Sequence, residues 1–395
     1  MKKIPLLDLS YQHEPLKKQI LETITKVIDS GHFILGEEVR EFEETIASYV
    51  NVRHAIGVAS GSDALFLSLL ALDIGPGEGV IVPSYTFFAT AGAVARAGAT
   101  PVFADIDYES YNIDPSFLEK FIEENCEVTY KGLYDRKHKV IIRAIIPVHL
   151  FGQTAEMEPL VHLAKRYNLK IIEDAAQSLG AEYQGEKVGS IGTAGIFSFF
   201  PTKNLGGMGD GGMIVTDDDD LAEKIRILRV HGSKPKYFHK LTGINSRLDA
   251  IHAAILKVKF SHMEEWIEAR RKNAHYYKKL FVESGLGCEG KSEKCRVKLP
   301  MECPYSRHTY NQFVVRVERR DELKKFLEEN GVSTAIYYPL PLHLQEAFSH
   351  LGYREGDLLE SERASKETLT LPVYPGLTES DIEYIVDLFI KFYQQ

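Results

Sequence analysis

The sequence predicts an α/β fold, with a large first domain built on a mainly parallel sheet flanked by helices and a smaller α+β domain after it. At 395 residues the chain is long enough for two domains. Between residues 55 and 173, short apolar runs alternate with segments of helical periodicity. Repeated strand–helix units of this kind build a parallel sheet with helices on both faces. Past residue 213 the alternation stops, so we expect domains of residues 1–250 and 251–395.

The first half of the chain supplies most of the regular elements. Two helices are predicted before the sheet begins, over residues 14–30 and 38–49, and Gly31 suits the left-handed position that ends the first. Asp114 suits the N-cap of a later helix. The predicted strands are 55–59, 80–83, 100–105, 140–148 and 170–173, and the helices between them are 63–72, 86–97, 115–124 and 156–167.

The second half is less regular. An apolar run, Ile196–Phe200, predicts a buried strand that Pro201 ends, because proline has no N–H for the ladder. The acidic run 217–220 suits the first turn of a helix that ends near Val230, and an irregular basic segment follows it. The remaining predictions are strands over 213–216, 311–317 and 332–337 and helices over 248–280, 321–330 and 379–393.

Composition excludes several classes of function. A net charge of −9 without a basic stripe argues against a nucleic-acid partner. No stretch is apolar for long enough to predict a membrane span, and the N-terminal apolar run is too short for a signal peptide. The four cysteines, at positions 126, 288, 295 and 303, lack the spacing of a zinc site. We therefore predict free thiols in a reducing cytoplasm and no metal site.

The first candidate functional residues follow the first two strands, because ligands in such folds bind where the parallel strands end. Ser60-Gly61-Ser62 enters a helix N-terminus, where N–H groups and hydroxyls suit an anion. Simple N-capping by Ser62 or Asp63 is the alternative. After the second strand, Phe87 is an aromatic that can stack on a flat heterocycle, and a place in the core is its alternative.

Two further strands end in polar residues. Asp174 closes the fifth strand, where a carboxylate is costly unless a cation, such as a protonated ring nitrogen, pairs with it. Gln177 would lie on the same helical face and reach the same ring. N-capping by Asp174 is the alternative. Ser198 and Lys203 come with the next strand, where burial lowers the pKa of a lysine and makes its amine nucleophilic, whereas a solvated loop lysine is the alternative.

Together these strand ends hold an anion cradle, an aromatic ring, a carboxylate for a ring nitrogen and an amine for an aldehyde. That set matches pyridoxal phosphate (PLP), whose use requires a lysine amine and an acidic partner for the pyridinium. One competing pattern is rejected. Residues 207–212 fit G-x-G-x-x-G, but a dinucleotide site needs a helix after the glycines, and the sequence predicts a strand there.

The same residues resemble the DegT-type nucleotide-sugar aminotransferases, a fold-type I group of PLP enzymes. The resemblance covers nearly the whole chain and rests above all on the Asp174 and Lys203 blocks and their spacing. The segments that carry it are residues 33–36, 60–65, 83–87, 173–177, 198–205, 209–212, 243–249 and 371–372.

The resemblance implies a role for each candidate residue. Lys203 is implied to be the catalytic lysine that forms an imine with PLP, and Asp174 the partner of the ring nitrogen. The other implied coenzyme contacts come from Gly61, Ser62, Phe87, Gln177, Ser198 and Asn245. The implied substrate contacts come from Phe33, Arg247, Tyr338 and His343. Asn245 and Arg247 are implied to reach the partner subunit, Asn245 to its phosphate and Arg247 to its substrate or to the carboxylate of the amino donor, which makes the protein a homodimer with shared sites.

The resemblance also implies a substrate class, a nucleotide-linked keto sugar with L-glutamate as amino donor. Residues 232–237 look more like members that aminate a 3-keto sugar than like those that act on 4-keto sugars. UDP-linked and dTDP-linked substrates stay open, with a lean to UDP, and the product would feed lipopolysaccharide or antibiotic-sugar assembly. Members with histidine at the lysine position are dehydratases, so Lys203 argues against dehydration. A dehydratase and a non-catalytic PLP-binding regulator are the rival hypotheses.

Overall fold

The computed structural model describes residues 2–290 and 294–394. Its strands are β1 His54–Val58, β2 Glu78–Pro83, β3 Thr100–Ala104, β4 Cys126–Thr129, β5 Gly132–Asp135, β6 Val140–Ile145, β7 Lys170–Asp174, β8 Glu182–Tyr183, β9 Glu186–Lys187, β10 Ala194–Ser198, β11 Gly212–Thr216, β12 Gly287–Cys288, β13 Val297–Lys298, β14 Ser306–Arg307, β15 Phe313–Val317 and β16 Thr368–Leu371. Its helices are α1 Ser10–His13, α2 Lys17–Ser30, α3 Glu37–Val50, α4 Gly61–Ala71, α5 Ala89–Arg96, α6 Pro115–Asn125, α7 Met157–Tyr167, α8 Asp219–Leu228, α9 Ala250–Phe260, α10 Met263–Glu283, α11 Arg320–Glu329, α12 Leu359–Glu367 and α13 Glu379–Gln394.

The main sheet has the strand order β1-β11-β10-β7-β6-β2-β3, and the hairpin β4–β5 is attached through β6. The pairs from β10 to β3 along this order are parallel, and β11 pairs antiparallel with both of its neighbours. Since the crossovers are helical, the sheet is covered on both faces. The prediction of an α/β fold with a mainly parallel sheet is confirmed.

Alternation along the strands assigns side chains to the two faces of the sheet. In β11, Ile214 packs in the core under α4 and α8, whereas Met213 and Val215 pack in the core under α3 and α9. In β10, Ile196 packs in the first of these cores and Phe197 packs in the second. All five side chains are completely buried, which is why this part of the chain reads as continuous apolar runs.

A second sheet, β12-β13-β15-β16, carries a separate hydrophobic core near the C-terminus. Helix α10 passes from one core to the other. Its Ile267 packs in the core of the large domain, whereas Ala274 and Tyr277 pack in the second core. The boundary at residue 250 stays a prediction, and the change of core occurs about two helical turns into α10.

Two predicted elements are wrong. The helix expected over 248–280 is two helices, since α9 ends at Phe260 and α10 begins at Met263. Both have helical periodicity, so the periodic pattern continues across the break and hides it. The strand expected over 332–337 forms only isolated bridges, through Val332 to Ile4 and through Ala335 to Thr370. The partner of Val332 lies near the N-terminus, and local sequence cannot reveal such a pairing.

The prediction of free thiols is wrong for two of the four cysteines. Cys288 and Cys295 form a disulfide, and Cys126 and Cys303 are free and buried. The parallel pairing of β12 with β13 brings the two Cα atoms to 5.9 Å, within the usual range for a disulfide. In the described ranges, no group of three His, Cys, Asp or Glu side chains is arranged to hold a metal, and no helix is long and apolar enough to cross a membrane.

Candidate functional site

A cavity of about 650 Å³ opens where β7 and β10 end. Because these two strands are neighbours and parallel, the residues that follow them meet at one edge of the sheet. The predicted site residues that line the cavity are Gly61, Ser62, Phe87, Asp174, Gln177, Ser198, Lys203 and Tyr338. The sequence prediction therefore converges on one place in the fold.

Lys203 follows β10 in a loop that is fixed from behind. The side-chain amide of Asn204 donates to the carbonyl oxygen of Leu179 at 3.0 Å and to Oγ1 of Thr309 at 2.9 Å. Burial lowers the pKa of Lys203 to about 8, and the Asp174 carboxylate opposes this shift. The amine is therefore partly neutral near physiological pH, as a nucleophile requires. A freely solvated loop lysine would keep its ordinary pKa, so that alternative does not fit.

Asp174 ends β7 directly beside β10, where it lies opposite Ile196. Its carboxylate is 5% exposed and accepts hydrogen bonds from Oγ1 of Thr90 at 2.8 Å and from the backbone N–H of Ala176 at 3.2 Å. Burial raises the pKa of Asp174, and these two hydrogen bonds oppose the rise. No helix begins after Asp174, so it is not an N-cap. A cation placed in the cavity would favour its ionised form.

Glu173, the residue before Asp174, is held by a ring of donors. Its side-chain oxygens accept from the backbone N–H groups of Gly189, Ile191 and Gly192 at 2.6–2.8 Å. The ring nitrogen Nε2 of His149 lies 3.0 Å from the same carboxylate. Since Nδ1 of His149 accepts from a backbone N–H at 3.0 Å, Nε2 carries the proton and donates it to Glu173. Neither side chain lines the cavity, and together they fix the end of β7.

The anion cradle forms at the start of α4. Ser60 is the N-cap, with its Oγ accepting from the backbone N–H of Asp63 at 3.1 Å, so neither Ser62 nor Asp63 has that role. The N–H groups of the first turn have no partner within the helix. A Cβ added to Gly61 would lie 2.9 Å from the Cβ of Ser198, which means that only glycine lets α4 and β10 approach so closely.

The remaining cavity residues are aromatic or contact an aromatic. Gln177 is held at both ends of its amide, because Oε1 accepts from the N–H of Phe151 at 2.9 Å and Nε2 donates to the hydroxyl of Tyr338 at 3.0 Å. The hydroxyl proton of Tyr338 is then left for another acceptor. The ring of Phe87 is 56% exposed and its centroid lies 6.2 Å from that of Tyr338. Phe87 is therefore not a core residue.

Four predicted residues do not line the cavity. Phe33 and Asn245 are exposed and Arg247 is partly exposed. His343 is 1% exposed, and its ring nitrogens bind Ser84 at 2.7 Å and Glu362 at 3.2 Å, so its contacts are structural. Three further residues belong to the site without having been predicted: Thr90, which supports Asp174 from α5, and Tyr337 and Gln312, which line the cavity. Sequence patterns gave no signal for these three, because their elements come together only in the fold.

The residues present fit PLP. Gly61, with no Cβ, and the free N–H groups of the first turn of α4 suit a phosphate. The buried Asp174 carboxylate has hydrogen-bond donors but no bound cation among the described residues, which suits a protonated ring nitrogen. Lys203 supplies an amine of lowered pKa beside the same cavity. This set of groups follows from the structure alone.

Comparison with known families agrees with this chemistry. Residues 14–389 match the DegT/DnrJ/EryC1/StrS aminotransferase family. A pleiotropic regulatory protein of Geobacillus stearothermophilus is 49% identical over 391 residues, which cover 99% of each chain. UDP-N-acetyl-3-dehydro-alpha-D-glucosamine 3-aminotransferase of Acidithiobacillus ferrooxidans is 41% identical, over 97% of this chain and 96% of that protein.

A solved structure is similar over the full length. The X-ray crystal structure of S. venezuelae DesV covers 100% of both chains, with a TM-score of 0.91 and 39% sequence identity. At this similarity the fold is shared along the whole chain.

Proposed function

Because the chain belongs to the DegT/DnrJ/EryC1/StrS aminotransferase family, we propose that it transfers an amino group from L-glutamate to C3 of a nucleotide-linked 3-keto sugar. It is a PLP-dependent nucleotide-sugar aminotransferase. The observation that carries the proposal is the convergence of Lys203 and Asp174, at the ends of two adjacent parallel strands, on one cavity of about 650 Å³. That cavity is large enough for a coenzyme and part of a sugar substrate.

Each side chain has a separate task. When bound, PLP supplies an aldehyde that takes up the amino group and a ring that acts as an electron sink. Asp174, supported by Thr90, holds the ring nitrogen in its charged form. The first turn of α4 binds the phosphate, and Phe87 covers one face of the ring. Lys203 holds the coenzyme between turnovers and moves the proton at the substrate carbon, for which a pKa of about 8 is well suited.

The nucleotide and the sugar remain proposals. A relative named for a UDP-linked 3-dehydro sugar is 41% identical to this chain, and one named for a dTDP-linked 3-amino sugar is 40% identical, so similarity does not separate the two nucleotides. We keep the UDP-linked 3-keto-N-acetylglucosamine type as the first candidate. Lipopolysaccharide or antibiotic-sugar assembly as the destination of the product, and a cytoplasmic location, stay predictions. Oxidation of Cys288 and Cys295 is uncommon in a reducing cytoplasm, so the disulfide argues against that location.

A homodimer with shared sites is part of the proposal. Phe33, Asn245 and Arg247 lie outside the cavity of their own chain and are exposed or partly exposed. This placement supports a role across a subunit interface, with Asn245 at the partner's phosphate and Arg247 at the partner's substrate or at the carboxylate of its amino donor. Two exposed aromatic side chains earlier in the segment that leads to Asn245, Tyr237 at 78% and Phe238 at 69%, are also suited to burial against a second subunit.

The direct test supplies the purified protein with pyridoxamine phosphate and a panel of 3-keto and 4-keto nucleotide sugars, with UDP and dTDP versions of each. Mass spectrometry then identifies any amino sugar. Formation of a 3-amino product would support the proposal. Amination of the 4-keto sugars alone would overturn the assignment of the reaction to C3. Loss of a hydroxyl without gain of nitrogen would instead indicate a dehydratase.

A regulatory role is a second candidate, because the relative at 49% identity is named a pleiotropic regulatory protein. A purely regulatory PLP-binding protein would bind the coenzyme but release no 2-oxoglutarate from glutamate. Titration of the coenzyme-loaded protein with glutamate, followed by an assay of 2-oxoglutarate, separates the two functions.

A further inference from the structure

A second cavity, of about 130 Å³, lies behind the Lys203 loop. Lys203, Gln312 and Tyr337 line both this cavity and the active-site cavity, so the two cavities adjoin at these residues. Arg270 of α10 also lines it, together with residues of the N-terminal segment and of β16. We call this second cavity the Arg270 cavity. None of the coenzyme and substrate contacts proposed for the larger cavity involves Arg270.

Arg270 is buried without an acidic partner. It is 3% exposed, and its Nη1 donates to the backbone oxygen of Asn311 at 3.4 Å. Among the residues that the structure describes, no carboxylate forms an ion pair with it. Burial lowers the pKa of Arg270 to about 10, and no acidic group offsets this cost. An unpaired buried charge is strongly destabilising, which points to an anion from outside the chain.

Two other buried arginines provide the contrast. The guanidinium of Arg229 lies 2.6 Å from the carboxylate of Glu43, and that of Arg316 lies 2.6 Å from the carboxylate of Glu360. Both are at least nine-tenths buried, as Arg270 is. The fold therefore pairs buried guanidinium groups with carboxylates elsewhere and leaves the one beside Lys203 without a carboxylate.

Three further residues that line the Arg270 cavity have polar side chains with a buried oxygen. Oδ1 of Asn311, Oε1 of Gln312 and Oγ1 of Thr370 are buried and have no hydrogen-bond partner within the described ranges. A hydroxyl can donate, and the oxygen and nitrogen of an amide exchange places when the amide turns over, so these side chains can serve an anion and its waters. The volume suits a carboxylate and a few waters, whereas a nucleotide diphosphate is too large.

We propose that the Arg270 cavity binds one carboxylate of the amino donor, with the Arg270 guanidinium as its bidentate partner. Guanidinium and carboxylate match in this planar geometry. Because Lys203 lines both cavities, a donor held at Arg270 has its carboxylate on one side of the lysine and the coenzyme site on the other. The proposal rests on the aminotransferase function, and it adds a donor-specific site that the nucleotide sugar does not use.

The test compares Arg270→Gln with Lys272→Gln in the coenzyme-loaded protein. Lys272 lies on the same helix and its side chain is 73% exposed, so its replacement changes the charge equally without touching the cavity. Calorimetric titration with glutarate, a dicarboxylate without an amino group, measures binding without turnover. We expect the Kd of glutarate to rise tenfold or more in Arg270→Gln and to be unchanged in Lys272→Gln. The KM for glutamate should rise similarly, with the KM for the nucleotide sugar unchanged.

A crystal structure of the wild-type protein with glutarate provides a measurement that needs no variant, in case Arg270→Gln fails to fold. A carboxylate hydrogen-bonded to Arg270 would support the proposal. It would be overturned by glutarate bound elsewhere with only water or chloride at Arg270, or by an unchanged Kd in a folded Arg270→Gln protein. Failure of the proposed aminotransferase function is a different result, since the keto sugars would then remain unaminated although glutarate still bound at Arg270.

Discussion

Nε2 of His149 lies 3.0 Å from the carboxylate of Glu173, and both side chains are completely buried. The same carboxylate accepts three backbone N–H groups from the loop before β10. The loop is thereby attached to the end of β7, one residue before Asp174. The position of Asp174 consequently depends on a carboxylate that touches neither coenzyme nor substrate.

Glu173→Gln should destabilise the fold. The glutamine amide keeps the shape of the carboxylate but replaces one acceptor oxygen by an NH₂ group. A backbone N–H or His149 that now donates to this oxygen would lose its acceptor, and each buried donor left unpaired costs about 1–3 kcal/mol. The free energy of unfolding from denaturant titration measures this, with the exposed Glu186→Gln as control. Equal stability of the two variants would contradict the role of Glu173.

Lys203→Ala should abolish turnover and the visible absorbance that appears when PLP is attached to a lysine. In the wild type, the amine is protonated below its pKa of about 8 and neutral above it. The rate at which the coenzyme-free protein captures PLP should therefore rise from pH 6, reach about half of its maximum near pH 8, and level off above about pH 9. Stopped-flow absorbance measures this rate. Capture by Lys203→Ala at the wild-type rate would mean that another amine is involved.

Thr90→Val should weaken coenzyme binding through Asp174. The Thr90 hydroxyl is a donor that lowers the pKa of the Asp174 carboxyl, against the larger effect of burial. Without it that pKa rises further, and the ionised form needed by the pyridinium is lost at a higher pH as the solution is acidified. We expect about tenfold weaker binding of PLP, equal to about 1.4 kcal/mol.

Asp174→Asn should cost orders of magnitude in rate as well.

The affinity of PLP as a function of pH, from fluorescence titration, is the measurement for these two variants. The curve for Thr90→Val should fall at a higher pH than that of the wild type. Superimposable curves would show that the hydrogen bond from Thr90 does not tune Asp174.

The disulfide determines how many thiols react before and after reduction. Denatured without a reductant, the protein should show two reactive thiols, from Cys126 and Cys303, and four after reduction. Cys295→Ser should lower the free energy of unfolding by about 2–3 kcal/mol, since the bond closes a short loop in the unfolded chain. A reductant should remove the difference between variant and wild type. Four thiols before reduction would rule out the bond.

Local sequence predicted the strand ends well and the long-range partners poorly. Asp174 and Lys203 were found because each follows a buried strand, and parallel strands end at one edge. Thr90 reaches Asp174 from α5, across 84 positions of sequence, and no periodic pattern records such a contact. Arg270 could not be predicted for a similar reason, since its cavity is lined by segments that are far apart in sequence. For His343, which only the resemblance implies as a substrate contact, the fold adds buried partners in Ser84 and Glu362 that local sequence does not record.

Gly61→Ala tests the anion cradle. The added Cβ would lie 2.9 Å from the Cβ of Ser198 and 3.3 Å from its Oγ, so α4 must shift away from β10. Since the phosphate is proposed to bind between these elements, we expect at least tenfold weaker binding of PLP. Gly75→Ala is the matched control, because its nearest contact, at 3.5 Å, is ordinary van der Waals contact. Thermal unfolding of the coenzyme-free proteins separates a local from a global effect. If Gly61→Ala bound PLP as tightly as Gly75→Ala, the phosphate would have to bind elsewhere.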